Sequence, residues 1–372
     1  MKKINTQNNK QEKNKHGGNI AAMLQQYGLS EKHIIDFSAN INPLGLPKKI
    51  INLIFRNIDA VKNYPQPQSE RLKEIIARTY KLKPDNLLVG NGSIELIYLI
   101  SRALKLRKVA VIAPDFSEYE TASKMHGAEV DFFFVKENEG FKIDILKLKK
   151  FIKKSDAFFL SNPNNPTGRI LQKQEMLLLM DICRLNKTLL IVDEAFMEFV
   201  DDATRFSLMH KSVSNEYLLV LRSATKFFAL AGLRLGYLIG QAKLIKKIAV
   251  FEYPWNVNCL AQLAGGALIQ DSQYARKSRH FVLKEKDRLL KQLQKIPSIK
   301  TYPAAANFIF CKLETKKIKT AEKLYEALAK KRIFIRDCAN FRGLNNQFFR
   351  IAVRARKENI QLIEGMNLIL NQ

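Results

Sequence analysis

The sequence predicts an α/β fold with a largely parallel sheet, and two observations carry that prediction. Short β-type apolar runs alternate with segments of helical periodicity from about residue 70 onward. Polar motifs rich in Gly, Asn and Asp directly follow several of these runs, at the strand ends where open α/β sheets place their ligands. The chain of 372 residues is long enough for two or three domains.

The predicted elements follow this alternation in order along the chain. The strands are short apolar runs, at Leu87–Val89, Lys108–Ala113, Glu129–Val135, Ala157–Leu160, Thr188–Val192, Tyr217–Leu221 and Gly236–Ile239. The helices have apolar residues three and four apart, at Glu70–Tyr80, Ile94–Leu104, Ser117–Met125 and Gln174–Leu185. A hinge at Pro254-Trp255 precedes a long helical region that continues through Arg288. A smaller α/β domain follows, with strands at Phe308–Lys312, Ile333–Arg336 and Phe348–Val353.

Three segments are expected from this pattern. Residues 1–45 form an N-terminal arm, 46–255 a large domain, and 256–372 a small C-terminal domain with its connecting helix. The first fifteen residues are rich in Asn, Gln and Lys without an apolar core, which predicts a disordered leader and not a secretory signal. No apolar run approaches the roughly 20 residues of a membrane span.

Four cysteines and a large positive charge limit the classes of protein to which this chain can belong. The cysteines (Cys183, Cys259, Cys311, Cys338) are far apart and lack metal-ligand spacing, so we expect reduced thiols, a cytoplasmic location and no metal site. The formal net charge is +27, but the lysines are spread along helices and loops without a nucleic-acid-binding motif. We expect no nucleic-acid partner, and a modest steering of anionic substrates.

The segment from Ser223 to Gly236 places a lysine among small residues and eight positions before an arginine. A lysine can form a Schiff base with an aldehyde cofactor, and an arginine can hold a phosphate group with a planar fork of donors. Lys and Arg together account for 62 residues, so a lysine and an arginine alone indicate little. The functional interpretation of Lys226 and Arg234 therefore depends on the motifs upstream.

Those upstream motifs supply the other groups that a phosphorylated pyridine cofactor needs. Asp193 follows an apolar strand, where a carboxylate can stabilise a pyridinium. Asn165 lies in a Pro-rich turn, and Phe116 offers an aromatic face. Gly92 and Ser93 join a strand to a helix whose N-terminus can bind a phosphate. Taken alone, each is equally typical of a helix cap, a turn or a core residue.

Together, in this order, these motifs resemble the class I/II aminotransferase superfamily over nearly the whole chain. The resemblance implies a fold-type I enzyme with pyridoxal 5′-phosphate (PLP) bound to Lys226, and a mostly parallel seven-stranded sheet in the large domain. It implies that the cofactor phosphate is bound by Gly92, Ser93, Ser223 and Arg234. It also implies that Asn165 contacts the ring oxygen, Asp193 the ring nitrogen and Phe116 the ring face. Phe196 replaces the tyrosine of many relatives, which removes a hydrogen bond to the ring oxygen.

Other segments narrow the resemblance to the threonine-phosphate decarboxylase family, a close relative of the histidinol-phosphate aminotransferases. They are His16-Gly-Gly-Asn19, Asp36-Phe-Ser-Ala-Asn40-Ile-Asn42-Pro-Leu-Gly45, Asn63-Tyr64-Pro65, Pro254-Trp-Asn-Val-Asn258 and Arg336-Asp-Cys-Ala-Asn-Phe-Arg-Gly343. The resemblance implies loss of CO2 from L-threonine O-3-phosphate to give (R)-1-aminopropan-2-ol O-phosphate, as in cobalamin biosynthesis. It also implies a substrate site formed by His16, Asn40, Asn42, Arg336, Arg350 and Arg354.

Tyr64 resembles a tyrosine that reaches the cofactor phosphate of a neighbouring subunit, which implies a homodimer.

Two enzymatic alternatives stay open from the sequence. One is the same chemistry on L-serine O-phosphate, because one methyl group discriminates by only about 1–3 kcal/mol. The other is an aminotransferase acting on histidinol phosphate. A nucleic-acid-binding regulator is a third alternative, although residues 1–45 are short and irregular for a DNA-binding domain.

Overall fold

The structure is a computed structural model that describes residues 16–30, 33–315 and 317–370. The predicted disordered leader, residues 1–15, lies outside the described residues. The strands are β1 Ile35–Asp36, β2 Leu87–Asn91, β3 Lys108–Ala113, β4 Glu129–Phe134, β5 Ala157–Ser161, β6 Leu189–Asp193, β7 Leu218–Ser223, β8 Leu235–Ile239, β9 Ile299–Thr301, β10 Phe308–Leu313, β11 Ile333–Phe334, β12 Arg336–Asp337 and β13 Phe348–Ala352.

Helices alternate with these strands along most of the chain. They are α1 Ile20–Tyr27, α2 Lys48–Arg56, α3 Glu70–Tyr80, α4 Gly92–Leu104, α5 Glu118–Met125, α6 Ile145–Ile152, α7 Lys173–Leu185, α8 Met209–Ser212, α9 Ala224–Phe227, α10 Ala242–Ala249, α11 Cys259–Ile269, α12 Ser272–Leu293, α13 Ala321–Ala329 and α14 Arg356–Leu370. Short 3₁₀ turns lie at Ile58–Lys62, Pro84–Asn86, Glu137–Glu139, Met197–Phe199 and Ala203–Arg205. None of the helices described has both the length and the apolarity needed to cross a membrane.

A seven-stranded sheet forms the centre of the molecule, in the order β2-β8-β7-β6-β5-β3-β4. Every neighbouring pair is parallel except the two pairs made by β8, which runs antiparallel to β2 and β7. The central strands β5, β6 and β7 are buried along their whole length, as expected when helices cover both faces of a parallel sheet. The predicted α/β fold with a mostly parallel seven-stranded sheet is confirmed.

The carboxyl ends of three central strands meet at one edge of this sheet. Ser161 at the end of β5 pairs with Asp193 at the end of β6, and Asp193 pairs with Leu221 of β7. Ser223, the last residue of β7, pairs with Gly236 of β8. Parallel pairing therefore brings polar residues that are far apart in the sequence to one edge.

The C-terminal part forms a second sheet, in which antiparallel strands follow the order β12-β13-β10-β9. The N-terminal arm joins this part, because β1 pairs in parallel with β11 and Phe37 packs in the same apolar core as Phe349. The predicted single strand Ile333–Arg336 is wrong. It is split at Ile335, since β11 hydrogen-bonds to the arm whereas β12 pairs with β13.

The long helical region predicted after Pro254-Trp255 is two helices. They separate at Asp271, whose side chain accepts a hydrogen bond from Tyr274 N and so caps the start of α12. Trp255 has a positive φ of 61°, and the chain turns there before α11 begins at Cys259. The predicted domain boundaries stay predictions.

Candidate active site

A cavity of about 270 Å³ opens at the carboxyl edge of the central sheet and extends to the arm and the C-terminal sheet. Most of the residues singled out from the sequence line it: His16, Asn40, Ser93, Phe116, Asn165, Asp193, Ser223, Lys226, Arg234, Arg336 and Arg350. Residues near the N-terminus, residues of the central sheet region and residues of the C-terminal sheet all contribute. A second cavity of about 540 Å³ adjoins the first and shares His16, Phe116 and Arg336 with it.

Lys226 lies on α9, the single helical turn that follows β7. Its amine has no hydrogen-bond partner among the residues that the structure describes. Burial, followed by the charges of Arg234 and Arg350, lowers the pKa of Lys226 from 10.5 to about 8, while Asp193 acts in the opposite direction. An amine with this pKa is neutral much more often near pH 8 than an ordinary lysine, so it is a better nucleophile.

Asp193 forms the floor of the cavity at the end of β6. Its Oδ2 accepts a hydrogen bond from Tyr119 Oη at 2.8 Å, and its Oδ1 accepts one from Ala195 N at 2.9 Å. Burial raises the pKa of Asp193, although the Tyr119 hydrogen bond, the Ala195 N–H and Lys226 each favour the carboxylate. A buried carboxylate with these fixed donors needs a cationic partner in the cavity, such as a pyridinium.

The part of the cavity lined by Ser93, Ser223, Thr225 and Arg234 is an anion cradle, because its donor groups can hold an anion. Ser93 is in the first turn of α4, where backbone N–H groups have no partner within the helix. Ser223 Oγ and Thr225 Oγ1 are 2.7 Å apart and both line the cavity. The Arg234 guanidinium packs so closely against Gly92 that a Cβ there would lie 2.5 Å from Nη2. Gly92 also has a φ of +78°, a conformation that disfavours other residues.

Arg350 of β13 lines the same cavity as Lys226. Its Nη1 donates to Asn165 Oδ1, and its Nη2 donates to the Ser38 carbonyl at 2.8 Å. The guanidinium lies 5.3 Å from the centre of the Phe308 ring, and its buried Nε has no hydrogen-bond partner in the part of the chain described. Burial lowers the pKa of Arg350 to about 10, which leaves it protonated at neutral pH.

Arg336 and His16 lie where the two cavities meet. Arg336 donates to the Asp337 carbonyl at 2.6 Å and to Asn340 Oδ1 at 2.8 Å, and its guanidinium is 5.4 Å from the Phe341 ring centre. His16 Nε2 is 2.9 Å from Glu118 Oε1. Arg336, His16 and Arg350 therefore place three nitrogen-donor groups around one cavity. Asn40 is nearby, and its carbonyl accepts a hydrogen bond from Asn307.

Three residues expected at the site lie elsewhere. Asn42 is buried and does not line the cavity; its Nδ2 lies within hydrogen-bonding distance of the Phe227 carbonyl, Tyr274 Oη and Ser278 Oγ. Its backbone N–H donates to the Lys226 carbonyl at 3.0 Å, so it supports the lysine segment from behind. Arg354 is likewise remote, because it pairs with Glu358 at 2.8 Å on α14.

Tyr64 also lies outside the cavity. It is 82% exposed, and its ring centre is 4.9 Å from that of Trp255. Within one chain it does not contact the anion cradle, so the role predicted for it requires a second subunit.

The cavity residues missed from the sequence include Tyr119, Ser161, Thr225 and Phe341. Tyr119 stacks on Phe159 at 5.1 Å and holds Asp193, yet its sequence position suits a core residue of a helix equally well. Ser161 Oγ donates to Asp115 and lies 3.2 Å from Asn165 N. Thr225 and Ser161 adjoin motifs that were recognised. Their positions at strand ends could therefore have identified them as site residues. Phe341 lies inside the recognised segment from Arg336 to Gly343, but its contact with the cavity depends on the conformation of a loop, which the sequence pattern does not show.

The residues present fit the cofactor that the resemblance implies. The cradle at Ser93 combines a helix N-terminus, hydroxyl groups and a guanidinium, which is the donor set for a phosphate dianion. Asp193 supplies a held carboxylate and Lys226 an amine with a lowered pKa, and Phe116 also lines the cavity. A phosphorylated pyridine aldehyde needs each of these groups.

Comparisons with known proteins give concordant results. The family model for aminotransferase class I and II matches residues 32–365. A Caldanaerobacter subterraneus protein assigned as a threonine-phosphate decarboxylase is 39% identical over 351 residues, which are 94% of this chain and 92% of the relative. The threonine-phosphate decarboxylase of Salmonella typhimurium is 34% identical, over 95% of this chain and 96% of its own. The crystal structure of the histidinol-phosphate aminotransferase from Clostridium acetobutylicum is similar with a TM-score of 0.84 and 36% identity, over 91% of this chain and 99% of that one.

Proposed function

Because this chain belongs to the aminotransferase class I and II family, we propose that it is a PLP-dependent decarboxylase. Its substrate is L-threonine O-3-phosphate, and its products are (R)-1-aminopropan-2-ol O-phosphate and CO2. The observation that carries the proposal is the convergence of Arg350, Arg336 and His16 on the cavity of Lys226. A substrate with both a carboxylate and a phosphate needs more than one cationic donor group. Both decarboxylase relatives match this chain over nearly their whole length.

The large domain holds the cofactor in this proposal. Ser93, Ser223, Thr225 and Arg234 bind its phosphate, and Asp193 binds the ring nitrogen. Asn165 would donate to the ring oxygen, and Phe196 would offer no hydroxyl group to it. When bound, PLP would supply an electron-accepting ring that stabilises negative charge at Cα.

The remaining groups orient the substrate and handle its proton. Arg350 binds the carboxylate with its planar fork and so fixes the direction of that group at Cα; this selects loss of CO2 over loss of the Cα proton. Arg336 and His16 bind the phosphate at the mouth of the cavity. After CO2 leaves, Lys226 Nζ delivers a proton to Cα. Phe341 and Phe196 form apolar walls that limit access of water.

A homodimer with a cytoplasmic location completes the proposal. Exposed apolar side chains cluster in sequence around Tyr64 and Trp255, and include Phe55 (79% exposed), Val61 and Tyr253. Exposed apolar side chains of this size, next to one another in two segments, suit a protein–protein interface. In a dimer, Tyr64 would reach the cofactor phosphate of the partner subunit.

Product analysis separates the decarboxylase from its alternatives. Purified PLP-loaded protein is given L-threonine O-3-phosphate without an oxo-acid acceptor, and the products are identified by mass spectrometry. We expect aminopropanol phosphate, and a competing L-serine O-phosphate sample then ranks the two substrates. Glutamate formed from histidinol phosphate and 2-oxoglutarate, with no product from threonine phosphate, would refute the proposal. The variant Lys226→Ala should lose both turnover and the cofactor's visible absorbance.

A further inference from the structure

Glu118 is a buried carboxylate at the rim of the active site that the catalytic proposal does not use. It begins helix α5 and is 6% exposed. Its Oε1 is 2.9 Å from His16 Nε2 of the arm, and its Oε2 accepts a hydrogen bond from Tyr98 Oη of α4 at 2.7 Å. One carboxylate therefore joins the arm to two helices of the large domain.

A carboxylate that is withdrawn from water keeps its charge only when polar partners replace the solvent. Tyr98 is such a partner: burial, followed by the hydrogen bond to Glu118 and its negative charge, raises the pKa of the Tyr98 hydroxyl to about 12. The phenol therefore stays protonated and donates to Glu118 throughout the neutral range. This arrangement holds the carboxylate in one position, facing the imidazole.

The geometry leaves His16 free to bind a second anion. Its Nε2 is occupied by Glu118, whereas Nδ1 has no hydrogen-bond partner among the described residues. In the protonated ring both nitrogens are donors, so one imidazolium can bridge two anions. The Phe116 ring lies 5.6 Å from the imidazole at 51° and restricts its rotation. His16 lines both cavities, as does Arg336.

We infer that Glu118 and Tyr98 are positioning residues that hold the His16 ring at the cavity, with one ring nitrogen on Glu118 and the other available to the phosphate of the substrate. The inference rests on the proposed function for the phosphate contact. Glu118 acts through His16: it fixes the orientation of the ring and so which nitrogen faces the ligand. The arm thereby becomes a recognition element for phosphorylated amines, and Glu118 contributes to selectivity without touching the substrate.

Binding of O-phosphoethanolamine tests this inference without turnover, because this amine phosphate has no carboxylate to lose. Its dissociation constant for the holoenzyme is measured by calorimetry, without an oxo acid, beside that of ethanolamine. We expect Glu118→Gln to weaken O-phosphoethanolamine roughly tenfold and ethanolamine less than twofold. Tyr98→Phe should weaken the phosphate ligand about two- to threefold. Glu129→Gln, an exposed carboxylate at the start of β4, is the matched control.

The effect must also depend on His16. In a His16→Ala background, Glu118→Gln should cause no further loss of O-phosphoethanolamine binding, as expected for residues that act as one unit. Equal weakening of both ligands, an unchanged constant for O-phosphoethanolamine, or the same loss in the His16→Ala background would overturn the inference. If the wild type releases no CO2 from threonine phosphate but the tenfold selective loss is found, the proposed reaction fails while the role of Glu118 stands.

Discussion

Replacing Lys226 with Met in the cofactor-free protein tests how strongly the cavity disfavours a charged amine. Burial and the nearby Arg234 and Arg350 lower the pKa of Lys226 from 10.5 to about 8. At about 1.4 kcal/mol for each pKa unit, the protonated amine destabilises the folded state by roughly 3 kcal/mol. Methionine has a similar length and no charge, so we expect Lys226→Met to raise the free energy of unfolding by up to about 3 kcal/mol at pH 7.

The gain should depend on pH in a defined direction. Below about pH 8 both folded and unfolded wild-type chains carry the proton on Lys226, so the full penalty is present. Between about pH 8 and 10.5 the folded state releases this proton before the unfolded state does, and the wild type becomes relatively more stable. The difference between the variant and the wild type therefore shrinks across this range and disappears above it.

Urea unfolding of both cofactor-free proteins, followed by circular dichroism from pH 7 to pH 10.5, measures the difference. Loss of visible absorbance verifies that the cofactor is absent. Lys246→Met, which removes an exposed lysine on α10, provides the matched control and should show no gain that fades with pH. A Lys226→Met protein that is less stable than the wild type at pH 7, or a gain of equal size at every pH, would refute the reasoning.

Three further predictions concern other parts of the molecule. Asn42→Ala should lower the free energy of unfolding by about 1–3 kcal/mol and reduce the cofactor retained after gel filtration, because the carbonyl of Phe227 loses a donor; unchanged retention would count against a supporting role. Arg350→Lys should raise KM for threonine phosphate roughly tenfold or more, since lysine lacks the planar fork, and unchanged steady-state kinetics would remove Arg350 from the carboxylate site. Phe55→Glu should convert the expected dimer to monomers in sedimentation velocity, whereas a monomeric wild type would contradict the dimer itself.

Much of the proposed cofactor site could be predicted from the sequence because its residues lie at strand ends. Ser223, Lys226, Asp193 and Asn165 each follow a buried run, and parallel pairing brings such ends to one edge. The order of motifs along the chain then maps directly onto neighbouring positions in space. The resemblance added the role of each residue, which spacing alone left open.

The substrate side was harder to predict, for physical reasons that particular residues illustrate. Asn42 and Asn40 are two positions apart in one motif, yet Asn40 lines the cavity whereas Asn42 binds backbone behind Lys226. Arg354 is near Arg350 in the sequence but lies beyond the end of β13. There it forms an ion pair with Glu358 of α14. Orientation of such side chains is set by tertiary packing and not by local pattern. The Lys-rich helices α2, α6 and α10 were missed because their apolar stripes are short.

The pairing of β1 with β11 joins a segment near the beginning of the chain to one near its end. The sheet residues of the proposed cofactor pocket all lie between β2 and β8, so they have all been synthesised by residue 239. The proposed substrate pocket also needs β11 and β13. His16 and Asn40 therefore reach their final positions only after these strands have been synthesised. During synthesis, the residues proposed to bind the cofactor are therefore complete before those proposed to select the substrate.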